Sequence, residues 1–169
     1  SLIIFIILMF SMASINLLSA NGNLIDSITG FTLTDMDGNP LDQEVGPWDS
    51  FRLNATFEIP NGSAVAGDKT IITLPEELEF EQIFSTELKD DNGNVIASMT
   101  VNPDTKQVTL VYTDYVENYS DIQGSFYFYV SVDQTIVKDE GTITTSVDVN
   151  GEVFPLDDFD YAGNESLTQ

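Results

Sequence analysis

Four glutamates, Glu76, Glu77, Glu79 and Glu81, come closest to catalytic chemistry, because paired carboxylates are what a glycosidase uses. They form one local charge run, and no convergent partners stand elsewhere in the chain. Such runs are usually solvated faces, so the chain is read as non-enzymatic. The acids of Asp35-Met36-Asp37-Gly38-Asn39 are spaced somewhat like a calcium loop. An EF-hand needs Gly sixth and Glu twelfth, whereas here Gly is fourth and the twelfth place is Gly46, so the match fails. Asp157, Asp158 and Asp160 are read as solvated tail in preference to a weak calcium site. No cofactor and no metal are expected. For binding, Tyr112, Tyr115, Tyr119, Tyr127 and Tyr129 concentrate the aromatics. Tyr127 and Tyr129 alternate with Phe126 and Phe128, so one sheet face would present two phenols as candidate ligand-binding residues. The plainer alternative is that a neighbouring strand or a following domain covers them.

Composition removes most other chemistries. The 169 residues hold 5 Lys+Arg against 28 Asp+Glu, a net charge of −23, with no His and no Cys. A surface this acidic repels phosphate backbones and anionic lipid, so nucleic acid is excluded as a partner. Zinc fingers, thiol nucleophiles and Ser-His-Asp triads all lack their residues. Pure binding survives these exclusions.

The elements that must position these residues are strands. Phe51 to Ile59 alternates without a fault, with Phe, Leu, Ala, Phe and Ile on one face and Arg, Asn, Thr and Glu on the other. Residues 95–101, 126–132 and 143–149 repeat the pattern, and shorter β-rich runs lie at 28–34, 70–74 and 108–113. No helix-period segment of any length occurs, although a single turn fits within 76–84, after Pro75. Turn chemistry stands between the runs at Asp37-Gly38-Asn39-Pro40, Asp91-Asn92-Gly93-Asn94, Asn61-Gly62 and Asn150-Gly151. The pattern predicts an all-β fold, an antiparallel immunoglobulin-like β-sandwich of about seven to nine strands.

Ahead of the sandwich, residues 2–10 read LIIFIILMF, too short to span a bilayer, which takes about 20 apolar residues. The run matches the hydrophobic region of a secretory signal peptide, with cleavage after Ala13 or Ala20. Residues 1–20 are therefore read as a signal peptide truncated at its N-terminus, and no membrane insertion is expected after cleavage. Export without any Cys points to a bacterial extracytoplasmic protein. The sequons at Asn54, Asn61, Asn118 and Asn164 are then read as chance matches. The domain is predicted over residues 25–155, with 156–169 as an acidic linker or the start of a next domain.

The segment Thr109-Leu110-Val111-Tyr112-Thr113-Asp114-Tyr115-Val116 resembles the T-Y-T-F-T-D-Y-V motif of Gram-positive wall-anchored adhesins. Thr109, Thr113, Asp114, Tyr115 and Val116 match it, Tyr112 stands for Phe, and Leu110 and Val111 depart. Ala66-Gly67-Asp68 ahead of 70–75, the 90–97 hairpin and 122–126 resemble the family's flanking segments in the same order. The resemblance implies a variant immunoglobulin fold, one of several tandem N-terminal domains that grip ligand between neighbours. It implies that the motif residues Thr109, Tyr112, Thr113, Asp114, Tyr115 and Val116 are structural. The Asp114 carboxylate is expected to cap a turn. Such adhesins often carry Lys–Asn isopeptide cross-links, but Lys69, Lys89, Lys106 and Lys138 sit in turns or polar surroundings, so none is expected here.

The function expected is that of an extracellular, cell-wall adhesin domain that helps bind a host matrix or plasma protein of the collagen or fibrinogen class. The partners implied are that host protein and an adjacent Ig-like domain of the same chain. The alternative is a structural spacer without a ligand, and a sugar-binding or carbohydrate-active module ranks third.

Overall fold

The computed structural model describes residues 22–164, and its regular elements are strands apart from one helical turn. The expected signal peptide, 1–20, lies outside the described residues. In chain order the strands are β1 (Ile28–Thr34), β2 (Phe51–Ile59), β3 (Lys69–Thr73), β4 (Leu78–Phe80), β5 (Phe84–Lys89), β6 (Val95–Asn102), β7 (Gln107–Tyr112), β8 (Ile122–Val132), β9 (Gly141–Ile143), β10 (Ser146–Val149), β11 (Glu152–Pro155) and β12 (Phe159–Tyr161). One helical turn, α1 (Tyr115–Asn118), follows β7. A four-stranded sheet, β1-β2-β8-β4, stacks on a six-stranded one, β11-β10-β3-β7-β6-β5, and β12-β9 forms a small third sheet.

The alternation in β2 sets the central ladder. β2 pairs antiparallel with β8 from Phe51↔Val130 to Ile59↔Ile122 without a break. Phe51, Leu53, Ala55, Phe57 and Ile59 are all buried, and so are Phe126, Phe128 and Val130 opposite them. Their side chains meet the inner face of the six-stranded sheet, where Ile72, Ala97, Val101, Val108, Leu110, Val147 and Val149 are buried. This is the aligned stacking of two sheets with apolar inner faces.

Twelve strands replace the seven to nine predicted, for local reasons. The glutamates of 76–81 conceal β4, in which Leu78 and Phe80 are buried around Glu79. The expected turn is present ahead of it, with the Leu78 N–H donating to the Pro75 carbonyl at 3.2 Å. The run 143–149 breaks between β9 and β10, which join different sheets.

The C-terminal boundary is corrected. Residues 156–164 are part of the fold and not a linker: Leu156, Phe159 and Tyr161 are buried, and the Phe159 ring lies 5.4 Å from that of Phe51. β12 pairs with β9, and Tyr161 bridges to Val45. The acids of this stretch mask its period, because Asp160 points out while Phe159 and Tyr161 point in.

Two turns repeat one solution. In the 35–39 and 90–94 turns the Asp35 and Asp90 Oδ1 atoms each accept two backbone N–H groups, from Asp37 and Asn39 and from Asn92 and Asn94, at 2.8–2.9 Å. Gly38 and Gly93 take φ of 88° and 86°, a region costly to any residue with a Cβ. The amides of Asn39 and the side chain of Asn94 hold the two carboxyls below their ordinary value. The loop that failed as a calcium site is thus a hairpin turn whose carboxylate is spent on its own backbone.

At one end the sheets are tied by an ion pair. Lys106, in the turn from β6 to β7, places Nζ 2.7 Å from Asp133 Oδ2, just past β8, and also donates to the Glu76 carbonyl. Burial pushes the Asp133 carboxyl up, but donors from Lys106 and Thr135 outweigh it and leave the group below 3.8.

Two outcomes are expected from this packing. Leu53→Ala should cost about 2–5 kcal/mol in urea unfolding, whereas Ser125→Ala on the wet face of β8 should stay within about 0.5 kcal/mol. A depressed carboxyl stabilises the fold above its unfolded pKa, and that contribution disappears as pH falls through the folded value. The stability gap between the natural chain and Asp133→Asn should therefore be full at neutral pH and close below about pH 4, the ordinary carboxylate range. A gap independent of pH would show that the pair carries no such linkage.

Candidate functional site

The outer face of the four-stranded sheet carries the two tyrosines singled out in the sequence. Tyr127 and Tyr129 point away from the core on β8, with 46% and 43% of their surface in water. Their rings pack edge to face at 5.5 Å between centroids. Among the described residues no strand covers them. β2 supplies their neighbours through the ladder, Asn54 beside Tyr127 and Arg52 beside Tyr129. The Arg52 guanidinium carbon lies 4.2 Å from the Tyr127 ring centroid, a cation–π contact. Asn54 is held by β1, donating to the Thr32 carbonyl and to Thr34 Oγ1 at 3.2 and 2.9 Å. The neighbouring Tyr129 pushes the Tyr127 phenol above its usual value of 10.0, against a smaller opposing pull from Arg52. The phenol is therefore uncharged at neutral pH. The arrangement offers aromatic area, hydroxyl donors and one cation on a flat surface, which suits contact with a polypeptide.

The motif 109–116 lies elsewhere and does structural work. Tyr112 is buried, and its hydroxyl meets Ser27 Oγ at 2.5 Å and Thr70 Oγ1 at 2.6 Å, while those two oxygens stand 3.1 Å apart. Burial is the main cause that raises its phenol. Thr70 also donates to the Ile25 carbonyl at 2.7 Å, so this hydroxyl triangle fastens the segment that enters β1 onto the opposite sheet. Asn150 completes the attachment by donating to Ile25 O at 3.0 Å. Buried Asp68 contributes from the same end, accepting the backbone N–H groups of Asn23 and Val65. Thr109 lies in the sheet opposite Ile71 and Thr100, and Val116 is buried. Tyr115 donates to Asp90 Oδ2 at 3.0 Å and stacks on Tyr119 at 4.1 Å, tying α1 to the hairpin between β5 and β6.

The Asp114 carboxylate does not cap the turn as expected. It makes no cap bond at the start of α1, and the Thr113 hydroxyl accepts the Tyr115 N–H at 3.2 Å instead. Thr113 sits one residue nearer the strand, where its Oγ1 also reaches the Val95 carbonyl at 2.5 Å.

The glutamates of the 76–81 run make local contacts. Glu77 accepts the Thr145 hydroxyl, Glu81 accepts that of Ser50, and burial together with nearby Asp133 raises the Glu79 carboxyl. None of the four glutamates lines the cleft of about 460 Å³ between 35–45 and 49–51, whose walls include Asp35, Asp42, Glu44 and Phe51. Among the described residues no group of three or more acids is placed to hold a metal ion. Nor is any described helix long and apolar enough to cross a membrane.

Comparisons with known proteins agree with this architecture. A family model for the bacterial Ig domain matches residues 44–142. The wall-associated protein of Streptococcus mutans is 29% identical over 101 residues, 54% of this chain and 22% of that protein. Serine-aspartate repeat-containing protein E of Staphylococcus aureus is 28% identical over 140 residues, 79% of this chain and 12% of its own length. Clumping factor B of Staphylococcus aureus is 34% identical over 68 residues, 40% of this chain and 8% of that protein. The chain thus spans less than a quarter of the length of the curated relatives it matches. Among solved structures, a serine-rich repeat adhesion glycoprotein of Streptococcus agalactiae superposes with a TM-score of 0.61 at 22% identity, covering 80% of this chain and 46% of that one. The collagen adhesin of Staphylococcus aureus does so with a TM-score of 0.60 at 15% identity, covering 85% and 46%. With a family model spanning most of the sandwich, the chain belongs to the bacterial Ig domain family.

Proposed function

We propose that this domain serves an extracellular, cell-wall adhesin and helps bind a host matrix or plasma protein of the collagen or fibrinogen class, together with an adjacent Ig-like domain. The observation that carries the reading is the uncovered pair Tyr127 and Tyr129 beside Arg52 on a flat sheet face. Exposed tyrosines on rigid strands supply large contact area for little loss of side-chain freedom. The net charge of −23 adds long-range attraction for basic polypeptide segments and repels acidic ones. Relatives named as a clumping factor and a collagen adhesin lend support by kinship. The chain acts here by surface complementarity, and no bond is made or broken.

The reading is tested by immobilising collagens, fibrinogen and fibronectin and measuring binding of the chain alone and within the full-length protein. Tyr127→Ser with Tyr129→Ser should weaken binding to the recognised protein by about tenfold or more, the effect of losing well-placed aromatic contacts. The chain should still unfold cooperatively, with only a small loss in its denaturation midpoint, because neither ring belongs to the buried core. Background binding of every form on all three ligands would favour the spacer reading.

A further inference from the structure

The chain has a single tryptophan, and the fold keeps it in water: Trp48 exposes 76% of its surface. The turn that displays it is closed from both sides. The Asp49 N–H donates to the Gly46 carbonyl at 3.2 Å, and the Gly46 N–H donates to Asp49 Oδ2 at 2.7 Å. The Pro47 carbonyl is fixed in turn by Gln134 Nε2 at 2.5 Å. A second apolar side chain, Ile136, exposes 48% of its surface on the neighbouring turn, which closes by its own N–H to the Asp133 carbonyl at 3.0 Å. Two large exposed apolar side chains are thus carried on turns that are hydrogen-bonded to each other through Gln134 and Pro47.

The described backbone reaches its end at this same pole. Asn164 donates its N–H to the Lys138 carbonyl at 3.0 Å and its side-chain amide to the Gln134 carbonyl at 3.3 Å. Ala162 donates to the Val45 carbonyl at 2.8 Å, three residues ahead of Trp48. The Trp48 turn, the Ile136 turn and residue 164 are therefore bound into one cluster.

We propose that Trp48 and Ile136 form the seat for the polypeptide that follows Asn164 in the full-length protein, packing the next domain against this end of the sandwich. The inference rests on the reading that this domain works beside a neighbour, and it locates the contact. The size of the patch selects the occupant. A free partner or second copy needs roughly 1,000 Å² or more of total buried surface for a stable complex, and two side chains supply only part of that. A domain joined by the main chain arrives at millimolar effective concentration, so a small apolar seat suffices. The relatives, several times longer than this chain, are of a length to hold such a neighbour.

Trp48 itself reports the outcome. Its fluorescence and acrylamide quenching are measured in the chain ending at Gln169 and in the full-length protein, with Trp48→Phe in each to subtract any other tryptophan. The expected result is a blue-shifted emission and a severalfold lower quenching constant in the full-length protein, with no dependence on concentration. Trp48→Ser with Ile136→Ser should speed proteolysis of the junction after Asn164 severalfold and leave this domain's own unfolding midpoint unchanged. Equal quenching in both proteins overturns the proposal, and so does shielding that grows with concentration in the shorter chain, which would identify a second copy as the occupant. Tyr127→Ser with Tyr129→Ser should leave the shielding intact, so loss of host binding with Trp48 still shielded would sink only the earlier reading.

Discussion

Without cysteine to cross-link it, this chain must hold two sheets together chiefly by removing apolar side chains from water between them. Everything else in the structure depends on keeping those side chains on the inner faces. β2 and β8 bear the greatest constraint, because a one-residue slip in their ladder would turn Phe51, Leu53 and Phe57 outward and bring Arg52 and Asn54 into the core. The same constraint determines the outer face. Tyr127 and Tyr129 are left in water because Phe126 and Phe128 are not.

Several of the polar groups that the fold buries are spent on fastening. Ser27, Thr70 and Tyr112 bring their hydroxyls together, with Thr70 donating outward to the Ile25 carbonyl, and Asp68 and Asn150 satisfy backbone groups of the entering chain. A buried hydroxyl or carboxylate without partners would be costly, so these groups define one arrangement of the segment against the opposite sheet. The adhesin-like motif accordingly reads as a device of architecture: its Tyr112 anchors the entry to β1, and its Tyr115 anchors a hairpin.

This division leaves binding to what faces outward. A rigid sheet face with aromatic contact area and a rigid pole with an exposed tryptophan lie on a domain whose acidic surface discourages association with other acidic surfaces. One surface suits a partner met in solution, and the other suits a neighbour delivered by the chain itself.

Period-two alternation by itself determined the fold class, the buried face of β2 and the outward placement of Tyr127 and Tyr129, because side-chain direction in a strand follows from parity alone. Turn chemistry likewise determined the hairpins at Asp35 and Asp90, whose hydrogen bonds close within five residues. What parity could not reach was long-range partnership. Arg52 over Tyr127, Lys106 against Asp133 and the hydroxyl triangle each join residues 27 or more positions apart. β12 was hidden by its acids until β9 offered it an edge, and the meeting of the Trp48 turn with the Ile136 turn was visible only in the folded chain. Local geometry is written residue by residue, whereas which surfaces come together is decided by packing of the whole sandwich.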